Sequence, residues 1–164
     1  EVGHVGENNN GNIEDIIYAD TNDCDRFCKE TGIDFLAPAL GSVHGPYIGE
    51  PKLNFERMKE ISETCNIPLV LHGGSGIYDE QIKKAISCGI CKININTELQ
   101  QEWTKGVREF LSIDDKVYDP RKVIKSGEEN IKRISSRYLM IINDSTINEF
   151  ILIVKFSFKF SVLS

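Results

Sequence analysis

Short apolar runs alternate with longer stretches of helical periodicity along most of the chain. Three runs, at 35–42, 67–74 and 91–97, are apolar or rich in β-branched residues and end in glycine or polar side chains, which is typical of buried strands. The stretches with helical spacing predict helices over 21–32, 53–66, 78–89, 97–111 and about 120–136. This alternation predicts parallel strands joined by crossover helices.

Several of the predicted helices carry capping signals. Thr21 or Asn22 is a candidate N-cap of the first helix and Gly32 is its stop, while Asn54 is a candidate N-cap of the second. The fourth helix has Thr97 as its candidate cap. Its apolar spacing predicts an inward face made of Leu99, Trp103, Val107 and Phe110.

The pattern changes from about Tyr138 onwards. Charged residues become sparse, and alternation with serine and lysine at Phe156, Phe158, Phe160 and Val162 is typical of a strand. The segment is either an additional edge strand or sequence foreign to the preceding domain, for example from a shifted reading frame. Because it lacks proline and nearly lacks acidic charge, we also expect it to aggregate.

Composition narrows the class of protein. A net charge of −6 gives no general attraction to nucleic acid, and no apolar run approaches the roughly 18 residues of a membrane span. The five cysteines are odd in number, which favours reduced thiols and a cytoplasmic location. They are interpreted as small buried side chains rather than metal ligands. The chain begins with Glu1 rather than Met, which suggests a fragment.

A histidine followed by a glycine-rich turn ends the second apolar run. His72 is the last residue of the predicted strand, and the sequence GGSG at 73–76 precedes a helix. Backbone amides and the Ser75 hydroxyl of such a loop suit an anion, so the loop combines a metal-capable imidazole with a phosphate cradle. The alternative is a purely structural turn.

The same His-Gly step occurs after the preceding strand, at His44 and Gly45. Because neighbouring strand ends lie close together in a parallel barrel, both imidazoles are expected to reach one zinc or similar ion, which typically takes a third protein ligand. The remaining histidine, His4, is interpreted as a polar surface residue.

Two asparagines alternate with isoleucines at the end of the third predicted strand. Asn94 and Asn96 point amides to one face, where hydrogen bonds to a polyhydroxylated ligand would explain them. The alternative is a satisfied polar layer inside a barrel.

Three segments together resemble one family: HGPYIGEPKLNFERMKEI, PLVLHGGSGIYDEQIKKAISCGICKININTELQ and VYDPRK. They resemble class II, metal-dependent fructose-1,6-bisphosphate aldolases and their tagatose-bisphosphate relatives. The resemblance implies a (β/α)₈ TIM barrel, a fold of the α/β class, of which this chain is the second half, about strands five to eight. It divides the chain into a half-barrel at 1–137 and an atypical tail at 138–164.

The resemblance also implies the roles of particular residues. His44 and His72 match two of the three histidines that hold the catalytic zinc. Glu1 matches an acidic position that in some members binds a second metal ion, so a second divalent or a monovalent cation is a further candidate. Arg121 resembles a basic residue that reaches the other phosphate of the substrate. The positions that match contacts to dihydroxyacetone phosphate are Gly45, Gly73, Gly74, Ser75, Asn94, Ile95, Asn96 and Thr97.

The implied reaction is the reversible cleavage of fructose 1,6-bisphosphate to dihydroxyacetone phosphate and glyceraldehyde 3-phosphate in glycolysis and gluconeogenesis. Zinc acts as the electron sink, so Lys92 needs no Schiff-base role. The alternatives are a tagatose-1,6-bisphosphate aldolase and a non-catalytic truncated product that binds phosphate weakly or associates through exposed barrel edges. The parent enzyme is expected to be a homo-oligomer without nucleic-acid or membrane partners.

The departures from the family pattern limit what this chain is expected to do alone. The third zinc histidine and the general-base aspartate are expected upstream, so we expect the isolated chain to be inactive. The loop GENNNG at 6–11 leaves Glu7 as its only carboxylate, and Ile48 stands where a lysine is common.

Overall fold

A computed structural model describes residues 1–9, 12–13 and 17–144. The strands are β1 (Gly6–Asn9), β2 (Asn12–Ile13), β3 (Val43–His44), β4 (Leu69–Leu71) and β5 (Ile90–Ile93). The helices are α1 (Thr21–Thr31), α2 (Phe55–Cys65), α3 (Asp79–Ser87), α4 (Thr97–Ile113), α5 (Pro120–Ser126) and α6 (Glu128–Asn143). The predicted helices at 21–32, 53–66, 78–89 and 97–111 are confirmed, with ends that differ by one or two residues.

Four extended segments run parallel to one another in chain order. β1 pairs with β3, and the residues before them pair through Val2 and Pro38. Leu36 then pairs with Leu69 of β4, which in turn pairs with β5. β2 is antiparallel to β1. Parallel neighbours in this order are what a segment of a (β/α)₈ barrel requires.

The predicted strand at 35–42 is an extended segment with isolated pairings. On one side the Ala39 amide donates to the Val2 carbonyl at 2.8 Å, and on the other the Val70 amide donates to the Leu36 carbonyl at 2.8 Å. Pro38 lacks an amide N–H, which shortens the regular ladder. The prediction is therefore confirmed in place and direction, while regular strand geometry is confined to β3.

The caps of two helices differ from those predicted. Asp20, rather than Thr21 or Asn22, caps α1, because its carboxylate accepts hydrogen bonds from the backbone amides of Asn22 and Asp23 at 2.9 and 3.2 Å. Asn96, rather than Thr97, stands at the N-cap of α4. The Asn54 cap of α2 and the Gly32 stop of α1, with φ of 62°, are confirmed.

The single helix predicted at 120–136 is two helices, α5 and α6, separated by Gly127. A Cβ atom at Gly127 would lie 2.1 Å from Cδ1 of Trp103, so the backbone crosses the indole ring where only glycine fits. Trp103, Val107 and Phe110 are half-buried because α4 packs against α5 and α6, whereas Leu99 is buried as predicted.

Helix α6 corrects the interpretation of the chain after Tyr138. Residues 138–143 are helical rather than strand-like, and Tyr138, Ile141 and Ile142 are buried in the core. The predicted boundary between 137 and 138 therefore falls inside a helix. The alternation at 156–162 lies outside the described residues. Within the described ranges, no helix is long and apolar enough to cross a membrane.

Candidate functional site

One pocket of about 260 Å³ lies where three neighbouring parallel segments end. β3 ends at His44, β4 is followed directly by His72, and β5 leads into residues 94–97. The pocket brings together most of the site residues predicted from the sequence. Its lining is His44, Gly45, His72, Gly73, Ser75, Asn94, Ile95, Asn96 and Thr97.

The imidazole rings of His44 and His72 meet edge to face in this pocket. Their centroids are 5.7 Å apart and their planes make an angle of 76°. His72 is half-buried and His44 is exposed. Burial lowers the pKa of His72, and the nearby Glu1 carboxylate opposes that shift. The lowered pKa favours the neutral imidazole, which is the form that binds metal ions.

Both ring nitrogens of His72 have partners. The Nδ1 atom lies 3.2 Å from the Asn94 amide nitrogen, and the Nε2 atom lies 3.1 Å from a Glu1 carboxylate oxygen. Since the amide nitrogen is a donor, Nδ1 accepts and Nε2–H donates to Glu1. The side-chain oxygen of Asn94 is buried without a hydrogen-bond partner among the described residues. A buried acceptor of this kind calls for a donor or a cation.

The 73–76 loop lies against the ends of β3 and β5. Gly73 has a φ of +60°, and a Cβ atom there would lie 2.2 Å from the Val43 carbonyl oxygen. The buried Ser75 hydroxyl accepts a hydrogen bond of 3.1 Å from the Asn96 amide. The Gly74 amide donates to the Asn94 carbonyl at 3.1 Å. Gly74 thus connects the loop to β5, and it is outside the pocket lining.

Arg121 does not lie among the residues that line this pocket. Its side chain is 88% exposed, and its guanidinium makes two hydrogen bonds to Asp119, whose carboxylate also accepts from the Arg121 amide at the start of α5. The Arg121 guanidinium holds the pKa of Asp119 below its usual range. Ile48, exposed and also outside the lining, adds no charge in place of the family's lysine. The side chain of Glu7 lies outside the described part of the chain.

The sequence interpretation missed a polar cluster beneath the 73–76 loop. Arg137 on α6 pairs with Asp79 at the start of α3 and, at 2.8 Å, with Glu98 in the first turn of α4. The Tyr138 hydroxyl lies 2.6 Å from Glu98 and 3.5 Å from the Gly74 carbonyl. The predicted boundary of the atypical tail fell between residues 137 and 138, so these residues were not connected with the rest of the fold. The acidic first turn of α4 was the one sequence feature considered that pointed to this cluster.

The two histidines do not complete a metal-binding set by themselves. Within residues 1–9, 12–13 and 17–144, no cluster of three or more histidine, cysteine, aspartate or glutamate side chains could hold a metal ion. The five cysteines are all free, and Cys24 is buried as expected for a small core side chain. The other four are only partly buried, which corrects the expectation for Cys28, Cys65, Cys88 and Cys91.

Comparison with known proteins identifies the family to which this chain belongs. The model of the class II fructose-bisphosphate aldolases matches residues 1–146. The chain belongs to this family. A curated fructose-bisphosphate aldolase from Geobacillus stearothermophilus is 57% identical over 80% of this chain and 46% of the relative's length. A 6-phospho-5-dehydro-2-deoxy-D-gluconate aldolase from Halalkalibacterium halodurans is 56% identical over the same shares of the two chains.

Solved structures of the family support the predicted fold. The crystal structure of the YdjI aldolase from Escherichia coli K12 matches with a TM-score of 0.68 and 38% identity, over 79% of this chain and 47% of that one. The prediction of a partial (β/α)₈ barrel is confirmed. The chain spans about half the length of the curated relatives that it matches.

Proposed function

We propose that the complete protein catalyses metal-dependent, reversible aldol cleavage of a phosphorylated sugar, with fructose 1,6-bisphosphate as the substrate. The observation that carries this proposal is the meeting of His44 and His72 in one pocket with the glycine-serine loop and Asn94. The two histidines predicted to bind metal and most of the residues predicted to bind dihydroxyacetone phosphate line a single cavity, as the reaction requires.

The two imidazoles fit a shared divalent cation. Imidazole nitrogens would hold zinc at about 2.1 Å in a tetrahedral arrangement. The ring centres, 5.7 Å apart, are close to the separation of about 5 Å that two such ligands would have. Zinc typically takes at least three protein ligands, so a further ligand must complete the set. Glu1 beside His72 suits a second divalent or a monovalent cation.

The residues around this site have separate proposed roles. A divalent cation bound there polarises the substrate ketone and stabilises the negative charge that develops as the carbon–carbon bond breaks. Asn94 and Glu1 each contact one ring nitrogen of His72, so a cation bound through one nitrogen would replace the partner there, while the other partner would still orient the ring. The Ser75 hydroxyl, accepting from Asn96, retains its own proton to donate to a phosphate oxygen.

The asparagines and Thr97 face the same cavity and suit the hydroxyl and carbonyl oxygens of a sugar. The Asn94 side-chain oxygen, which is buried and unpaired among the described residues, is the natural acceptor for a substrate hydroxyl. Removal of a proton from that hydroxyl belongs to a general base beyond this set. Lys92 has no covalent role in this scheme, while Gly45 and Gly73 let the substrate approach the backbone.

The comparison with curated relatives suggests a second substrate class. The relative named for 6-phospho-5-dehydro-2-deoxy-D-gluconate is 56% identical to this chain, and the relative named for fructose bisphosphate is 57% identical. Overall similarity does not choose between them, and tagatose 1,6-bisphosphate remains a third candidate. We further infer a role in glycolysis and gluconeogenesis, a cytoplasmic location and a homo-oligomeric parent protein. We also infer that Arg121, which lies outside the pocket lining, reaches the second phosphate of the substrate.

The deciding experiment assays the full-length gene product for cleavage of all three sugars, before and after treatment with EDTA and after Zn²⁺ is restored. We expect cleavage of fructose 1,6-bisphosphate that EDTA abolishes and Zn²⁺ restores. Activity that survives complete removal of metal would overturn the proposal, and preference for another sugar would replace the substrate. The 164-residue chain assayed in parallel is expected to show little activity, because its described residues do not complete a metal site.

A further inference from the structure

Tyr47 links the two histidine-bearing loops through its hydroxyl group. The hydroxyl donates a hydrogen bond of 2.9 Å to the Gly73 carbonyl and accepts one of 3.2 Å from the Val43 amide. Val43 directly precedes His44, and Gly73 directly follows His72. One side-chain oxygen therefore joins the backbone next to each histidine.

The same two loops also touch through their backbones. A Cβ atom at Gly73 would come within 2.2 Å of the Val43 carbonyl oxygen, so the two peptide segments pack with no room for a side chain. The Tyr47 ring also lies close to the end of the glycine-serine loop, since a Cβ at Gly76 would lie 3.3 Å from its Cδ2 atom. Backbone contact and the hydroxyl bridge therefore act at the same place.

The bond from Tyr47 to the Gly73 carbonyl needs a neutral phenol. Burial raises the pKa of Tyr47 to about 12, so its hydroxyl keeps its proton at neutral pH. The hydroxyl then donates to Gly73 and accepts from Val43 at the same time. The bridge is a permanent part of the site rather than a titrating group.

We infer that Tyr47 is a positioning residue for the metal site, because its hydroxyl sets the separation of the His44 and His72 rings. This inference rests on the proposed function, in which those rings bind one cation. A group that orients metal ligands without touching the ion typically changes metal affinity by about 10–100-fold when it is removed. Tyr47 acts on both ligands at once through their neighbouring residues.

The test is a Co²⁺ titration of the full-length gene product after its metal has been removed, followed through the visible absorption of the bound ion, for Tyr47→Phe and for a matched control. The control is Tyr18→Phe, which removes a hydroxyl bonded to the Lys52 carbonyl at 3.2 Å, outside the pocket. We expect Tyr47→Phe to weaken Co²⁺ binding at least tenfold and to change the absorption spectrum, and Tyr18→Phe to leave both unchanged. Equal affinity and equal spectra for all three chains would overturn the inference.

A second measurement separates this inference from the proposed function and from a loss of fold. In the metal-free chain, hydrogen exchange of the Val43 amide and the ring signals of His44 and His72 are compared with the exchange of the β4 amides. Faster Val43 exchange and shifted ring signals, with β4 still protected, support the positioning role even if the unmodified chain binds no Co²⁺. In that case only the metal assignment fails. Unchanged exchange and ring signals in Tyr47→Phe, or equal loss of protection in β4, would overturn the role of Tyr47.

Discussion

The hydroxyl of Tyr138 lies 2.6 Å from the carboxylate of Glu98, joining α6 to the first turn of α4. Tyr138 is 1% exposed, and its hydroxyl also lies 3.5 Å from the Gly74 carbonyl, under the loop that faces the pocket. Burial and the Glu98 carboxylate raise the pKa of Tyr138 far above its ordinary value, so the phenol remains a donor. Tyr138, which lies 64 residues beyond Gly74 in the chain, thereby supports the loop from beneath.

Removal of this hydroxyl should destabilise the fold. Tyr138→Phe removes the donor to one Glu98 carboxylate oxygen while Arg137 still bonds the other, and a lost hydrogen bond to a charged group costs about 1.5–3 kcal/mol. Urea unfolding followed by circular dichroism measures the change. Tyr118→Phe is the control, since Tyr118 is 93% exposed, and it should leave the unfolding midpoint unchanged. A Tyr138→Phe chain as stable as the unmodified one would show that the bond contributes nothing.

The close approach of Gly73 to Val43 can be separated from the backbone conformation of Gly73. Gly73 and Gly32 have nearly the same φ, +60° and +62°, but a Cβ at Gly32 meets no atom within 4 Å. Gly32→Ala should therefore cost about 1–2 kcal/mol for the left-handed conformation alone. Gly73→Ala should cost a further ~1–3 kcal/mol for the clash with the Val43 carbonyl. Unfolding free energies of both variants test this, and equal losses would mean that the loops separate freely.

Substitutions of His72 and Ser75 should have different effects on the full-length protein. His72→Ala removes a proposed metal ligand, so bound zinc measured by atomic absorption should be lost together with activity. Ser75→Ala removes a proposed phosphate donor, so it should retain zinc and mainly raise KM. His4→Ala is the matched histidine control outside the pocket lining, and it should keep both metal and activity. Equal loss of zinc in the His72 and Ser75 variants would contradict this division.

The thiols of Cys24 and Cys65, whose pKa values are raised, should resist alkylation in the folded chain. Burial raises the pKa of Cys24 to about 11 and that of Cys65 to about 12, with neighbouring thiols and carboxylates adding to the effect. At pH 8 the reactive thiolate is therefore scarce at both positions, and it increases only as the pH approaches these values. Iodoacetamide labelling followed by mass spectrometry should leave Cys24 unmodified at pH 8. The same reaction in urea should label it fully, and rapid labelling in the folded state would contradict its burial.

Local patterns were sufficient to locate the elements of the fold. Asn54 caps α2 and Gly32 ends α1 because capping depends on the few residues next to a helix end. The same reasoning missed Asp20, whose carboxylate reaches two amides from just outside the expected start of α1. It also joined α5 and α6 into one helix, because the break at Gly127 is imposed by the Trp103 ring of another helix.

The start of the segment after Tyr138 was misinterpreted for a similar reason. The first residues of that segment, 138–143, are helical because Ile141 and Ile142 bury their side chains with Tyr138 against the rest of the core. Tertiary packing of an apolar face decides such segments more strongly than local composition does.

The sequence by itself determined which residues could carry the chemistry. The repeated His-Gly step at His44 and His72, the glycine-serine loop and the paired asparagines need only local spacing, and parallel strand order brings their ends together. Tertiary structure decided how these groups are held. Arg121 is paired with Asp119 rather than lying in the pocket, and the bonds of Tyr47 to Gly73 and of Tyr138 to Glu98 span 26 and 40 residues. Such partners are selected by the packing of separate strands and helices, which no local pattern in the chain specifies.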